Sequence, residues 1–530
     1  MRTYKLSVVA ASVAMAMSGS ANAAIGAANE VFVGGATAPQ NFMLYDTIQR
    51  ICDGTASTVQ VYVDEIAALP GGGPNGDPNA GTPILNHKDQ FAVRCTTETF
   101  ADDPNTAVDE SALSAVDFAV YKYNGGSATG VAPVADPAGS AAASQVQLDA
   151  GAGCTLVTNT RPDNTWQAID GTRFELYDCA NATVTQAPDG GISDVEPTVF
   201  VGPLALGAGS EPTAVAPKPA DPFVDRGNLI VQAGPGLMFG TIVSLNMYDE
   251  LLDDQQANGM LTGCPASPTR AERDSVACMP SLPQSFISSV QAGEFVNWTD
   301  RDPYGLALDT AGLSTGRVQI CRRTAGSGTH AQASVENLRP NCIDGAPSMP
   351  ESVPGGNFFA PAVYANSGSS DMSDCVDAVA NGLGFDGDFA GLPPALGDPD
   401  GDSDCIPGTG VDCGSGASTF TAYGLGYNSL ENNTGLNFDY RFVKVDGVAP
   451  TLDNAHNGTY RDVYYLSYQH RVDGSGDVDG QTGALRTAPL SAAQKAVANA
   501  YFQVWDAVDP STLVEVNNGL IVDPDGTAAT

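Results

Sequence analysis

The segment Arg323-Thr324-Ala325-Gly326-Ser327-Gly328-Thr329 joins the apolar run Val318-Gln319-Ile320-Cys321 to a stretch of helical character, His330 to Leu338. A small-residue loop between a strand and a helix start can aim several backbone N–H groups at one point, where the helix dipole also favours negative charge. Arg323, Ser327 and Thr329 add a guanidinium and two hydroxyls. The chemistry these residues suit is the holding of a tetrahedral oxyanion. A second small-residue turn, Gly34-Gly35-Ala36-Thr37-Ala38-Pro39, also leads a strand into a helix. Thr37 or Ala38 is the expected N-cap there, and Pro39 suits the first helical position.

Charge placement links the two loops. Helix first turns often carry Asp or Glu, which complement the dipole. Pro39-Gln40-Asn41-Phe42 and His330-Ala331-Gln332-Ala333 carry none, and no acid occurs from Thr310 to Val335. At the chain's overall frequency, about three would be expected in that span. The same span holds Arg317, Arg322 and Arg323. Both loops therefore keep their positive ends open to an external anion; chance and ordinary packing are the alternative.

The elements that must position these loops read as α/β. Glu30–Val33, Ser57–Val63, Ala115–Tyr121 and Phe239–Ser244 are expected strands, with further candidates at Phe420–Tyr427 and Tyr440–Val445. Expected helices cover Pro39–Cys52, Met247–Asp254, Leu282–Gln291, Asp371–Leu383 and Ser491–Asp506, the last capped by Ser491. Alternating strands and helices favour α/β layers. Residues 137–228 are rich in Ala, Gly, Pro and Asp and read as an insertion or elaborate loop region. Residues 384–418 form a second, Asp/Gly-rich insert.

Lys+Arg total 23 against 61 Asp+Glu, a net charge of −38. That balance excludes nucleic acid and anionic membrane as expected partners. Arg2 and Lys5, the apolar run Leu6–Met17 and Ala21-Asn22-Ala23 form the pattern of a secretory signal, so residues 1–23 are expected to be removed on export. No segment reaches the length of a membrane span. The expected location is periplasmic or secreted, where the eleven cysteines should oxidise. Pairing of neighbours gives Cys52–Cys95, Cys154–Cys179, Cys264–Cys278 and Cys321–Cys342, leaving Cys375, Cys405 and Cys413. The absence of C-x-x-C and the presence of only four His argue against zinc.

A family resemblance rests on an ordered set of segments. Gly34-Gly35-Ala36-Thr37-Ala38-Pro39 resembles the opening motif of periplasmic phosphate-binding proteins of ABC transporters and the related DING proteins. Arg323 to Thr329 resembles their Arg-x-x-Gly-Ser-Gly-Thr loop. Gly293-Glu294-Phe295-Val296-Asn297-Trp298-Thr299-Asp300 is similar to their Gly-x-Ile-x-x-Trp-x-Asp, departing at Phe295. Val116-Asp117-Phe118 and Val445-Asp446-Gly447-Val448-Ala449-Pro450 match two further segments.

The resemblance implies a type 2 periplasmic-binding-protein architecture, two α/β lobes with a hinge closing on phosphate, and a transporter permease as partner. Its layout would be 24–136 for the first part of lobe 1, 137–228 for the insertion, 229–427 for lobe 2 with its insert at 384–418, and 428–530 for the return of lobe 1. Carried over, Thr37, Ala38, Arg323, Ser327, Gly328 and Thr329 are the implied anion-binding residues.

Two departures bear on the ligand. Where the family strand continues Gly-Ala-Ser-Asp, this chain has Ala119-Val120-Tyr121-Lys122. The family's Asp accepts a hydrogen bond from protonated phosphate. Lys122 either stands in its place as a further cation or is a surface lysine. The family's Ser-rich loop after the second strand is also missing at Val61-Tyr62-Val63-Asp64-Glu65. A tetrahedral oxyanion is thus the expected ligand class, with phosphate itself left open.

Other chemistry has thinner support. Alternating Asp398, Asp400, Asp402 and Asp404 could supply oxygens to Ca2+, or form a solvated acidic loop. Asp473, Asp477 and Asp479 are a weaker case of the same kind. Gly312-Leu313-Ser314-Thr315-Gly316 matches G-x-S-x-G, but a strand-like run follows it where a nucleophile elbow needs a helix. No catalytic residue and no cofactor is expected. The rival readings are an extracellular structural or adhesive protein reusing the fold, and a phosphohydrolase using Ser327 with His330.

Overall fold

The computed structural model of the 530-residue chain describes residues in the spans 29–64, 90–135, 154–179, 188–200, 229–338, 349–381, 421–479, 489–506 and 521–522. Short interruptions fall within these spans, among them 37–42 and 123–125. Strands β1 (Asn29–Gly35), β2 (Val59–Asp64), β3 (Phe91–Thr96) and β4 (Asp117–Lys122) begin the chain. Helix α1 (Ser127–Ala135) follows, then β5 (Cys154–Leu156), β6 (Arg173–Cys179) and β7 (Gly190–Ser193). The 16-residue strand β8 (Leu229–Ser244) runs into α2 (Leu245–Ala257), and α3 covers Gln284–Gln291. After these come β9 (Gln319–Arg323), α4 (Gly328–Asn337), β10 (Ala362–Asn366) and α5 (Ser369–Asn381). The chain closes with β11 (Gly424–Ser429), β12 (Tyr440–Phe442), β13 (Val463–Arg471) and α6 (Ala492–Asp506).

These strands form one continuous mixed sheet in the order β10-β9-β11-β8-β13-β7-β1-β4-β3-β2-β6-β5, with β12 also on β8. β8 belongs to two halves. Leu229 to Met238 pair with β13, whereas Phe239 to Val243 pair with β11. The α/β architecture is therefore two sheet halves joined through one strand, with apolar packing that also crosses between them at Ala331, Ala333, Leu338 and Tyr427. In the first half, alternation sends Val31, Val33, Val61, Val63, Phe118 and Val120 to one face, and Phe32, Tyr62, Ala119 and Tyr121 to the other. In the second half, Val243, Ile320 and Val363 join the core built on α2 and α3, while Ile242, Cys321 and Tyr364 join the core under α5. A period of two with both faces covered is what buried strands require.

The span 137–228, expected as an insertion, supplies β5 to β7. β7 sits at the centre of the first half, between β1 and β13. Because β1, β4 and β7 are mutually parallel through β1, their carboxyl ends open on the same edge. In open α/β sheets ligands sit outside such carboxyl ends.

Four disulfides close loops among the described residues. Cys52–Cys95, Cys154–Cys179 and Cys264–Cys278 pair as expected. The expected Cys321–Cys342 bond is not formed; Cys321 bonds Cys375 of α5 instead. The pleat explains the correction. Cys321 points to the face that α5 covers, placing the two Cα atoms 6.1 Å apart. Cys342, Cys405 and Cys413 lie outside the described residues. No helix among the described residues is long and apolar enough to cross a membrane.

Candidate anion-binding site

The Arg323–Thr329 segment has the form that its composition predicts. β9 ends at Arg323, Gly326 turns with φ of 84°, and α4 begins at Gly328. The Ser327 hydroxyl caps the helix by accepting from the His330 amide at 3.5 Å. No acid lies in the first turn of α4. Arg323, Ser327, Thr329 and His330 are all buried.

Arg323 is held by neutral oxygens. Its Nη1 donates to Ser369 Oγ at 2.7 Å and its Nε to the Asn366 carbonyl at 3.2 Å. Both acceptors come from β10 and the start of α5, the element tied back to β9 by Cys321–Cys375. Arg322 turns the other way, donating to the carbonyls of Pro350 and Arg323. His330 is neutral at any ordinary pH. Burial, reinforced by Arg322 and Arg323, pushes its imidazole down to about 3.

A second helix start meets this loop from the other half of the molecule. α1 begins at Ser127, again without an acid in its first turn. Ala128 N donates to the Gly326 carbonyl at 2.9 Å. A Cβ on Gly126 would lie 2.7 Å from that carbonyl oxygen, so glycine permits the approach. Gly328 is as tightly placed. A Cβ there would fall 2.3 Å from Ser127 Oγ and 2.5 Å from Asp194 Oδ2.

Asp194, directly after β7, lies between the two helix starts. It is 5 % exposed. Its Oδ2 accepts from Ser127 Oγ at 2.9 Å, its amide donates back to the same hydroxyl at 3.0 Å, and its carbonyl accepts from Gln332 Nε2 of α4 at 2.8 Å. Its Oδ1 is buried and has no hydrogen-bond partner among the described residues. Burial pushes the carboxyl up; the Ser127 bond and the charges of Arg323 and Lys122 oppose that shift.

Lys122 ends β4 and is 1 % exposed, so it is not a surface lysine. Its Nζ donates to the Gly35 carbonyl at 2.9 Å. Gly35 and Ala36 carry the chain toward Thr37 and Ala38, which lie outside the described residues, as do Asp398, Asp400, Asp402 and Asp404. The other acidic turn is occupied by the protein's own cation. Lys495 bonds Asp473, and the Asp477 carboxylate accepts from the amides of Ala107 and Val108. In the G-x-S-x-G match, Gly312 and Leu313 sit in a turn ahead of β9, and Ser314 lies outside the described residues.

The structure therefore brings together Lys122, Arg323, Ser327, Gly328 and Thr329, and adds two residues that sequence reasoning missed. Both stood in plain view. Gly191-Ile192-Ser193-Asp194 ends in Ser-Asp, as does the Gly-Ala-Ser-Asp looked for at 119–122, but lies within the span expected as an insertion. Gly126-Ser127 opens α1.

No family model and no curated protein matches the chain. Solved structures that resemble it weakly include a putative phosphate ABC transporter substrate-binding protein with bound phosphate from Clostridium perfringens. That pair is 12 % identical with a TM-score of 0.25, covering 53 % of this chain and 68 % of that one. An ABC-type phosphate transport receptor from Vibrio cholerae is 12 % identical at a TM-score of 0.22, covering 47 % and 62 %. A possible phosphate binding protein from Planctomyces limnophilus is 10 % identical at a TM-score of 0.22, covering 48 % and 60 %.

Proposed function

We propose that this chain is an exported solute-binding protein that captures phosphate, or a closely similar protonated oxyanion, between its two lobes. The observation that carries the reading is Asp194. Its buried Oδ1 lacks a partner among the described residues, yet the carboxyl stands beside Arg323 and Lys122 at two acid-free helix starts. An ionised carboxylate can only accept hydrogen bonds. A ligand suited to this place is anionic and still has an O–H to donate. Phosphate and arsenate have one at neutral pH, and sulfate has none.

The remaining residues supply donors. Arg323 offers charge-assisted bonds, and the first N–H groups of α4 have no intrahelical acceptor. Ser327, Gly328 and Thr329 present that helix start, and Thr37 and Ala38 would close the site from the first lobe. Disulfides and the signal-like N-terminus support export, and a transporter permease is the partner such a protein would serve. The site is read as holding its ligand without cleaving it. The Ser327 hydroxyl caps the backbone, and burial strips His330 of basicity.

Calorimetry on protein unfolded, dialysed and refolded to remove bound anion tests the reading. Phosphate and arsenate are expected to bind, with sulfate far weaker. Asp194→Asn is expected to narrow the gap between phosphate and sulfate. Failure of all three anions to bind the refolded wild type would sink the proposal.

A further inference from the structure

β4 ends on Lys122, whose side chain lies inside the protein. β1 and β4 run parallel with Val33 opposite Lys122, so the lysine leaves the sheet at the same edge as the Gly34-Gly35 end of β1. Its Nζ reaches past that register and donates to the Gly35 carbonyl at 2.9 Å. Gly35 is fixed from the other side as well. It pairs with Ile192 of β7, its φ is 112°, and a Cβ there would fall 1.9 Å from the Ile192 carbonyl oxygen. That oxygen accepts from the Ala36 amide at 2.9 Å. Asp194 follows Ile192 by two positions. Lys122 and Asp194 therefore stand at the ends of the two strands that flank β1, with the Gly35 turn between them.

The charges at this edge do not cancel. Those acting on Asp194 are Arg323 and Lys122, with no second acid among them. Arg323 is bonded to neutral oxygens of Ser369 and Asn366. From α5, Asp371 is partly exposed, and its carboxylate accepts from the Gly368 amide at 2.6 Å. Arg322 turns to the Pro350 carbonyl, and His330 is neutral. Two cations against one carboxylate leave one positive charge. The acid-free starts of α1 and α4 each add roughly half a charge more, for a sum of about two. Without Lys122 the sum is about one. An anion that gives up its water in a place of low dielectric is held best where its own charge is matched.

Phosphate offers both matches near neutral pH. Its monoanion carries one negative charge and two O–H groups; its dianion carries two charges and one O–H. Asp194 has one oxygen, Oδ1, without a partner among the described residues, and so can use a single O–H. Given an oxyanion site, the reading on which this rests, we propose that Lys122 is a specificity-determining residue that makes the site take phosphate as the dianion in preference to the monoanion. At pH 6, where most free phosphate is the monoanion, capture then sends one proton from the ligand to the buffer. The remaining O–H donates to Asp194.

Phosphorus NMR of the bound ligand reads its charge directly. Full mature protein, unfolded, dialysed and refolded, is loaded with inorganic phosphate between pH 5.5 and 8.5 as wild type, Lys122→Met and Lys122→Arg. Circular dichroism checks that each variant is folded. In wild type the bound signal should stay at the dianion position while free phosphate titrates. The calorimetric Kd should fall roughly tenfold from pH 6 to 8 as the dianion's share of phosphate grows. In Lys122→Met the bound signal should move toward the monoanion as pH falls, and the pH dependence of Kd should flatten. Lys122→Arg keeps the charge and should keep the wild-type signal. A lysine that only supported the Gly35 turn would lower affinity alike at every pH. Bound phosphate that titrates in wild type, or a folded Lys122→Met with the wild-type signal and pH profile, would overturn the proposal while leaving phosphate capture intact. The wild-type spectrum keeps that test open should Lys122→Met not fold. No bound signal in wild type at any pH would instead remove the oxyanion reading itself.

Discussion

Ser127 and Asp194, 67 residues apart in the chain, are bonded twice through one hydroxyl. Ser127 Oγ donates to Asp194 Oδ2 and accepts from the Asp194 amide, so the start of α1 and the turn after β7 are fixed to each other. The hydroxyl uses up Oδ2 and leaves Oδ1 directed elsewhere. Ser127→Ala removes both bonds. A neutral-to-charged hydrogen bond is worth about 1.5–3 kcal/mol, so phosphate affinity measured by calorimetry should fall roughly ten- to a hundredfold. Sulfate binding should change less, because it does not draw on Asp194.

Gly328→Ala tests how close the two helix starts lie. The added Cβ would fall 2.6 Å from Asp194 Cβ as well as on Ser127 Oγ, so more than a flexible side-chain end must move. Alanine improves helix propensity by about 1 kcal/mol over glycine, but overpacking of this kind costs about 1–3 kcal/mol. The melting temperature should drop or stay level, and oxyanion affinity should fall at least tenfold. An unchanged affinity would show that the helix starts do not frame the ligand.

Arg323→Ala should weaken oxyanion binding by about 2–5 kcal/mol, the scale for removing one partner of a buried charged pair. Ser369→Ala touches only the support of that guanidinium, at Nη1. It should give a smaller loss, on the order of 1 kcal/mol. The two losses should not add in the double variant, since Ser369 acts through Arg323.

His330 sets an acid limit on stability. Its folded-state value near 3 lies below the unfolded 6.5. Between those values the unfolded chain binds a proton that the folded one does not, so stability rises with pH from about 3 to 6.5 and is lost as pH falls through that window. His470, pushed down to about 4 by burial, acts in the same sense. Denaturant titrations of His330→Gln should show a flatter dependence on pH over this range than wild type.

The parts of the site that sequence revealed, and those it hid, follow from how each is built. The Arg323–Thr329 loop was readable because a strand, a small-residue turn and a helix start stand next to one another in the chain. Lys122 was readable as a departure, but not its burial, which depends on β1 and β3 flanking β4. Asp194 escaped because β7 is four residues long, two of them glycine, and carries no hydrophobic period. Its surroundings from 137 to 228 lack long apolar runs, so a central strand passed for a loop. The partner of Cys321 escaped for a related reason. Distance along the chain favoured Cys342, whereas the pleat and α5 decided for Cys375.

The strand that serves both halves has a practical corollary for dissecting the molecule. β8 extends roughly 50 Å at the usual rise per residue, and its first ten residues pair with one half while the rest pair with the other. A cut anywhere along it would strip one sheet of an interior member and expose a raw edge. Neither lobe should therefore be obtainable as a well-behaved fragment by dividing the chain there.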